Sequence, residues 1–127
     1  MIDHVSIAVS DLGLGRDFYA PARSTLGLTV LVEREETVGF GKSYPEFWIN
    51  LRSEMAPVDA ASGAHVCLRA RSTEAVQAFF DAAIDRGGTA ENAPKFWPEY
   101  NARYFAAFVR DPDGNRIEVV HFTDARQ

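Results

Sequence analysis

The sequence predicts an α+β domain built from two similar halves, and three observations support this. First, the stretch that starts at His4 is repeated, at a constant offset, by the stretch that starts at His65. Second, each stretch alternates apolar and polar residues, as a strand with one buried face does, and a helical pattern follows it. Third, each helical pattern ends at a glycine and further strand-like segments come after it. The offset matches four further pairs, namely Val5 with Val66, Phe18 with Phe79, Ala22 with Ala83 and Gly27 with Gly88.

The first half reads as a strand, a helix and three more strands. Ile2 to Val9 alternates, and its aliphatic side chains are expected to pack on the helices. Ser10 or Asp11 can cap a helix that runs to about Arg23. Pro21 lies late in this helix, where its missing N–H favours an early end. Strand patterns follow at Thr29–Glu33, Thr37–Phe40 and Phe47–Leu51.

The second half repeats this order. Ser72 is a candidate N-cap, and Gly87 with Gly88 supplies the helix stop. Two strand patterns follow, at about Tyr104–Val109 and Asn115–Phe122, with a turn-forming Asp111–Asn115 segment between them. The segment Met55–Gly63 is small and polar without periodicity, as a linker is. We therefore expect one domain over residues 1–127, with modules at about 1–54 and 64–127 joined by a linker at about 55–63.

Composition excludes several classes of protein. The chain has 127 residues, of which 46% are hydrophobic and 24% charged, as in an ordinary globular domain. Its formal net charge of −5 argues against a nucleic-acid partner. Cys67 is the only cysteine, so no internal disulfide forms, and its apolar neighbours favour an inert strand residue over a nucleophile. We find no signal peptide at the start and no apolar run of the roughly 20 residues that span a bilayer, so we expect a cytoplasmic protein without a membrane partner.

Three side chains are candidates for a metal site. In the strand around Ile117, the alternation points Glu118 away from the core, and a carboxylate in such an apolar strand is costly unless it is paired or coordinated. The same alternation points His4 and His65 away from the core. Two imidazoles and a carboxylate suit Zn²⁺, Fe²⁺, Mn²⁺, Ni²⁺ or Co²⁺, and three ligands leave positions open for substrate. The alternative for Glu118 is a salt bridge with an arginine such as Arg69, whereas His121 falls on the opposite face.

The segment Lys95–Tyr104 is dense in aromatic residues and lies in a predicted loop. One interpretation is a hydrophobic lid or a dimer contact. The other is a substrate-binding wall, in which Tyr100, Arg103 and Tyr104 supply polar tips. Trp48 can join the same wall.

The motifs that carry these residues resemble those of the vicinal-oxygen-chelate superfamily, which contains glyoxalases, bleomycin-resistance proteins and extradiol dioxygenases. The resemblance covers nearly the whole chain and rests on Ile2–Asp11, Phe18-Tyr19, Leu26–Leu28, His65-Val66 and Phe108–Glu118. It implies two paired βαβββ modules that form a cupped mixed sheet with helices on the outer face, and a homodimer. It also implies metal ligands at His4, at a residue near the end of the first module, at His65 and at Glu118.

The second of these ligand positions departs from the family pattern. Aligning Phe40 with Phe108 places Asn50 opposite Glu118, and Asn50 is a weak neutral ligand. Trp48, two residues earlier, is no ligand. A complete four-ligand site is therefore not expected, and a three-ligand site and a metal-free cup both remain open.

The resemblance implies two functions of different kinds. The first is a metal-dependent lyase, isomerase or dioxygenase that chelates a small oxygenated substrate, with Glu118 as the catalytic residue and a divalent ion such as Zn²⁺, Ni²⁺, Mn²⁺ or Fe²⁺ as cofactor. The alternative is a metal-free protein that sequesters a small molecule in the cup. The aromatic loop and the missing fourth ligand favour this alternative.

Overall fold

Two four-stranded mixed sheets make up the fold of residues 1–124, which are the residues that the computed structural model describes. The last three residues of the predicted second module, 125–127, lie outside them. The first module contains β1 Val5–Val9, α1 Leu12–Tyr19, α2 Ala22–Leu26, β2 Thr29–Glu33, β3 Thr37–Gly41 and β4 Pro45–Leu51. The second contains β5 His65–Arg69, α3 Thr73–Asp85, β6 Thr89–Phe96, β7 Tyr104–Arg110 and β8 Arg116–Phe122.

The two sheets have the same topology. Their strand orders are β1-β4-β3-β2 and β5-β8-β7-β6. β1 runs parallel to its neighbour β4, and β5 runs parallel to its neighbour β8. All other neighbouring strands are antiparallel. The predicted α+β fold of two βαβββ modules is thereby confirmed.

The helix starts follow the predicted caps, but the first helix is shorter than predicted. Asp11 Oδ1 accepts a hydrogen bond from the Leu14 backbone N–H at 2.9 Å, and Ser72 Oγ accepts one from Ala75 N–H at 3.0 Å. α1 ends at Tyr19, and a separate short helix, α2, begins after Pro21. The helix does not run to about Arg23, and the early end that Pro21 favours is confirmed, because proline has no N–H to continue the ladder.

The sequence analysis did not predict β6. β6 pairs with β7 at the edge of the second sheet, and its register shifts twice along the pair. Pro94 and several polar residues interrupt its alternation, and an edge strand tolerates both. Lys95 and Phe96, which the sequence analysis assigned to a loop, belong to this strand.

The core lies between the sheets and the helices, and the alternation predicted its strand residues correctly. Val5, Ile7 and Val9 from β1 contribute to one hydrophobic cluster together with Val66 and Leu68 from β5. The other large members of this cluster are Phe18, Tyr19, Leu26, Phe40, Phe47, Ile49, Val76, Phe79, Val109, Ile117 and Val119. Burial of these side chains stabilises both modules together, at roughly 25 cal/mol per Å² of apolar surface.

Side chains of the β7–β8 turn form hydrogen bonds that join the second module to the first. The buried Asp111 Oδ2 accepts a hydrogen bond from the Tyr19 hydroxyl at 2.7 Å. Asp113 Oδ2 accepts one from the Ser10 backbone N–H at 3.0 Å, and Asn115 Nδ2 donates one to the Ala8 carbonyl oxygen at 2.8 Å. The turn predicted at Asp111–Asn115 therefore has a second role, which is to fix the end of β1.

Candidate functional site

The candidate site lies on the face of the second sheet that points away from the core. Glu118 is only 3% exposed there, and its strand neighbours are Cys67 on β5 and Phe108 on β7. Phe108 and Val120 are also buried on this face. A carboxylate in such surroundings needs partners for both of its oxygens.

Glu118 has these partners. His65 Nε2 lies 3.0 Å from Oε1, and the Tyr104 hydroxyl donates a hydrogen bond to Oε2. The alternative salt bridge with Arg69 does not form, because the Arg69 guanidinium lies over the ring of Phe122 at 5.0 Å. β5, β7 and β8 each contribute one member of the resulting His65–Glu118–Tyr104 cluster.

The environment of Glu118 keeps the Cys67 thiol and the Tyr104 hydroxyl in their protonated, neutral forms. Desolvation raises the pKa of the Cys67 thiol to about 12, and the negative charge of Glu118 adds to this effect. Desolvation and the hydrogen bond to Glu118 raise the pKa of the Tyr104 hydroxyl above its ordinary value. Cys67 is therefore a protonated thiol at neutral pH, as its inert interpretation requires, and Tyr104 is a stable donor to Glu118.

His4 does not join this cluster. Its side chain is 53% exposed, and its Nδ1 lies 2.8 Å from Asp3 Oδ2. In the described part of the chain, no group of three or more His, Cys, Asp or Glu side chains is arranged to hold a metal ion. The structure therefore brings together His65 and Glu118 and leaves the third predicted ligand apart. His121 lies elsewhere, with Nδ1 3.0 Å from the Ala70 carbonyl oxygen.

Strand pairing corrects the residue equivalent to Glu118 in the first module. Glu118 pairs with Cys67 of β5, whose repeat equivalent in β1 is Ser6. Ser6 pairs with Trp48, whereas Asn50 pairs with Ala8. The alignment of Phe40 with Phe108 was wrong, because Gly39 of β3 pairs with Trp48 as Phe108 of β7 pairs with Glu118.

Trp48 fills the face of the first sheet at this position. A Cβ at Gly39 would stand 2.9 Å from Trp48 Cζ3, so the indole lies directly over this glycine. On the indole lies the guanidinium of Arg34, 5.5 Å from the ring centroid. The first sheet thus presents an aromatic surface where the second presents a carboxylate.

The aromatic loop covers part of the second sheet. Trp97 stacks on Tyr100 with ring centroids 5.6 Å apart and meets the edge of Phe108 at 5.4 Å. Tyr100 in turn contacts Tyr104 at 5.3 Å, so the loop extends to the cluster around Glu118. Arg103 is directed away, since its Nε donates a hydrogen bond to the Thr123 carbonyl oxygen. The sequence analysis did not single out Trp97 as the centre of this loop, although it lies among the aromatic residues of Lys95–Tyr104.

A cleft of about 520 Å³ separates the edges of β1 and β5. Residues of both modules line it: Ile2, Val5, Leu28, Lys42, Glu46, Phe47, His65, Val66, Cys67, Leu68 and Arg69. Its size suits a small molecule. Ile2 and Val5, which flank His4 in sequence, line the same cleft as His65.

The comparisons with known proteins agree with this fold. The family model of the Glyoxalase/Bleomycin resistance protein/Dioxygenase superfamily matches residues 1–119. A glyoxalase/bleomycin resistance protein from Albidiferax ferrireducens T118 is 31% identical, with a TM-score of 0.82 over 94% of this chain and 97% of that one. No curated protein is significantly similar to the chain.

Two more distant solved structures share the fold. A glyoxalase/bleomycin resistance protein/dioxygenase family enzyme from Burkholderia phytofirmans PsJN is 18% identical, with a TM-score of 0.71 over 96% of this chain and 98% of that one. Lactoylglutathione lyase from Agrobacterium tumefaciens is 21% identical, with a TM-score of 0.61 over 95% and 92%.

The chain is thus a protein of two βαβββ modules, with a cleft lined by residues of both. The chain belongs to the Glyoxalase/Bleomycin resistance protein/Dioxygenase superfamily. Among residues 1–124, no helix has the length and apolar character that crossing a membrane requires.

Proposed function

We propose that the chain is a metal-dependent enzyme that acts on a small oxygenated substrate in the cleft between the modules. The observation that carries this proposal is the 3.0 Å approach of His65 Nε2 to Glu118 Oε1 on the face away from the core. Two such donors on adjacent strands are the start of a site for a divalent transition metal.

The donor set fits such an ion in part. His65 and Glu118 are in place, and Tyr104 orients the second carboxylate oxygen of Glu118. His4 is the third candidate ligand. It is half exposed and hydrogen-bonded only to its neighbour Asp3, so its side chain can turn toward the cleft without disturbing the core. Three protein ligands would then leave coordination positions for the substrate.

When bound, a divalent ion supplies Lewis-acid polarisation of adjacent substrate oxygens. The chain's own residues have distinct tasks. Glu118 adjoins the cleft through His65, which lines it, and is the proposed catalytic carboxylate that would accept a proton from the substrate. The Tyr104 hydroxyl keeps its proton and holds Glu118 in position. The loop that carries Trp97 and Tyr100 contacts Tyr104 and so lies next to this carboxylate.

A second candidate is a metal-free protein that holds a small molecule in the cup. Trp48 favours it, because an indole stands where the repeat would put a fourth ligand. The stacked Trp97 and Tyr100 also favour it, since they offer aromatic surface for a flat ligand.

Calorimetric titration of chelator-treated protein with Zn²⁺, Mn²⁺ and Ni²⁺ separates the two candidates. For the metal enzyme we expect one site per chain, weakened at least about tenfold by Glu118→Gln and by His4→Gln, because each change removes a ligand. His121→Gln is the matched control and should retain the affinity, since His121 contacts the Ala70 carbonyl instead. Absence of binding at millimolar metal in the unaltered protein would reject the metal enzyme in favour of the metal-free candidate.

We also propose a homodimer. β2 and β6 are the outer strands of the two sheets, and they expose Leu31 and Phe96. Unpaired strand edges with apolar side chains favour association with a second copy. Sedimentation equilibrium at micromolar concentration tests this, and a purely monomeric result contradicts it.

A further inference from the structure

The entrance of the cleft holds a cluster of cations. Lys42 and Arg69 line the cleft itself. Arg71 adjoins it, because a Cβ placed at Gly27 would stand 3.4 Å from Arg71 Nη2 and 3.9 Å from Lys42 Cε. The side chains of Lys42 and Arg71 therefore approach the same point. In a chain with a net charge of −5, this concentration of positive charge is unusual.

These cations have no acidic partner in the part of the chain that the structure describes. The salt bridges among residues 1–124 join other cations to carboxylates, and none includes Lys42, Arg69 or Arg71. Glu46 lines the same cleft, but none of the salt bridges among residues 1–124 joins it to either lining cation. Like charges that lie together without a counter-ion repel one another, and an anion relieves that repulsion.

The repeat shows that this end of the cleft is built differently from the other. Arg69 and Arg71 are the repeat equivalents of Ala8 and Ser10, whose backbone groups bind the β7–β8 turn. That turn closes its end of the fold with acidic and amide side chains. The corresponding β3–β4 turn carries Lys42 instead, whose side chain approaches Arg71 beside Gly27. Hydrogen bonds join the two modules at one end, whereas Lys42, Arg69 and Arg71 lie at the other without a salt bridge to any of residues 1–124.

We propose that the cleft binds a small organic carboxylate, with its anionic group between Lys42 and Arg69 and an apolar group along the cleft. Ile2, Leu28 and Phe47 supply apolar lining. Arg69 lines the cleft and carries a planar guanidinium that suits a carboxylate, although this group now lies over the Phe122 ring at 5.0 Å. This inference rests on the proposed function, since His65 and Cys67 line the same cleft, and it names the class of substrate.

The test uses 4-phenylbutanoate and its neutral amide as probes. Their binding is measured by NMR titration of isotope-labelled protein. Chelator-treated protein is used, so that coordination of the carboxylate to a metal does not contribute. We expect the acid to bind at least about tenfold more tightly than the amide, and this preference to weaken as sodium chloride is raised. In the double variant Lys42→Gln/Arg69→Gln the preference should disappear.

Arg52→Gln is the matched control, because Arg52 is an exposed cation just beyond the opposite end of β4. It should leave the preference unchanged. Equal binding of acid and amide, no binding of either, or an unchanged preference in the double variant would each overturn the proposal. Acetate that bound as tightly as 4-phenylbutanoate would overturn the apolar part. Failure of the metal titration together with binding of the acid would reject the metal enzyme and leave this proposal standing.

Discussion

Trp48 occupies the position in the first module that Glu118 occupies in the second. Each pairs with a residue of the first strand of its module, Ser6 for Trp48 and Cys67 for Glu118, and these two residues are repeat equivalents. The repeat therefore preserves the backbone position while the chemistry has diverged from a carboxylate to an indole. A single substitution can test what this divergence does to the site.

Trp48→Glu should add a ligand to the proposed metal site. Because Trp48 is the repeat equivalent of Glu118, we expect the variant to bind Zn²⁺ or Ni²⁺ at least about tenfold more tightly than the unaltered protein. Asn50→Glu is the matched control, since it adds the same side chain two residue pairs further along β4. Calorimetric titration measures both, and an equal gain from Asn50→Glu would contradict the assignment.

Tyr104→Phe should destabilise the protein. The change removes a hydrogen bond to Glu118, a side chain that is 4% exposed, and leaves one carboxylate oxygen without its donor. We expect the free energy of unfolding to fall by about 1–3 kcal/mol, measured by urea denaturation.

Tyr100→Phe is the control, because Tyr100 is exposed and contributes ring contacts that phenylalanine retains. A larger loss in Tyr100→Phe would show that the loop contacts, and not the hydrogen bond, carry the stability.

The alternation of β1 and β5 was sufficient to predict the buried face of each strand, because burial on one side imposes a period of two. It also predicted that His65 and Glu118 share a face. It did not predict β6, whose Pro94 and polar residues are tolerated only because the strand lies at an edge. Edge positions are set by tertiary pairing, and local sequence carries little of that information.

The sequence predicted on which face of the sheet the site residues lie, but it did not predict the contacts that their side chains make. Alternation gives the side of the sheet but not the rotamer, so it could not show that His4 pairs with Asp3. The equivalence of Trp48 and Glu118 depends on pairing between strands. A match between two phenylalanines could not establish that pairing. The Tyr19–Asp111 contact joins residues from both modules, so neither module alone indicates it.

Cys67 should be slow to react with iodoacetamide at neutral pH. Its pKa is raised to about 12, first by desolvation and then by the charge of Glu118, so little thiolate is present. We expect the alkylation rate to keep rising with pH beyond the ordinary range of a thiol. Glu118→Gln should increase the rate at pH 8, because it removes the neighbouring negative charge.

Glu54→Gln is the control for this measurement, since it removes an exposed carboxylate from the segment that follows β4. It should leave the alkylation rate unchanged. Rapid alkylation of the unaltered protein at pH 7 would contradict the raised pKa and would reopen the interpretation of Cys67 as a nucleophile.

Tyr19→Phe should destabilise the protein near neutral pH and make its stability less sensitive to alkali. The Tyr19 hydroxyl donates at 2.7 Å to Asp111, and both side chains are buried, so losing this donor should lower the free energy of unfolding by about 1–3 kcal/mol. Desolvation, followed by the charge of Asp111, raises the pKa of Tyr19 well above its ordinary value. The stability associated with the neutral hydroxyl is therefore fully present below the ordinary tyrosine pKa of about 10 and is lost as pH rises above it.

Urea denaturation at pH 8 and pH 10.5 measures this pH dependence. The free energy of unfolding should fall less between these two pH values for Tyr19→Phe than for the unaltered protein. Tyr44→Phe, at an exposed tyrosine, should behave like the unaltered protein at both values. An equal loss in Tyr19→Phe and the unaltered protein would show that Tyr19 does not carry this pH dependence.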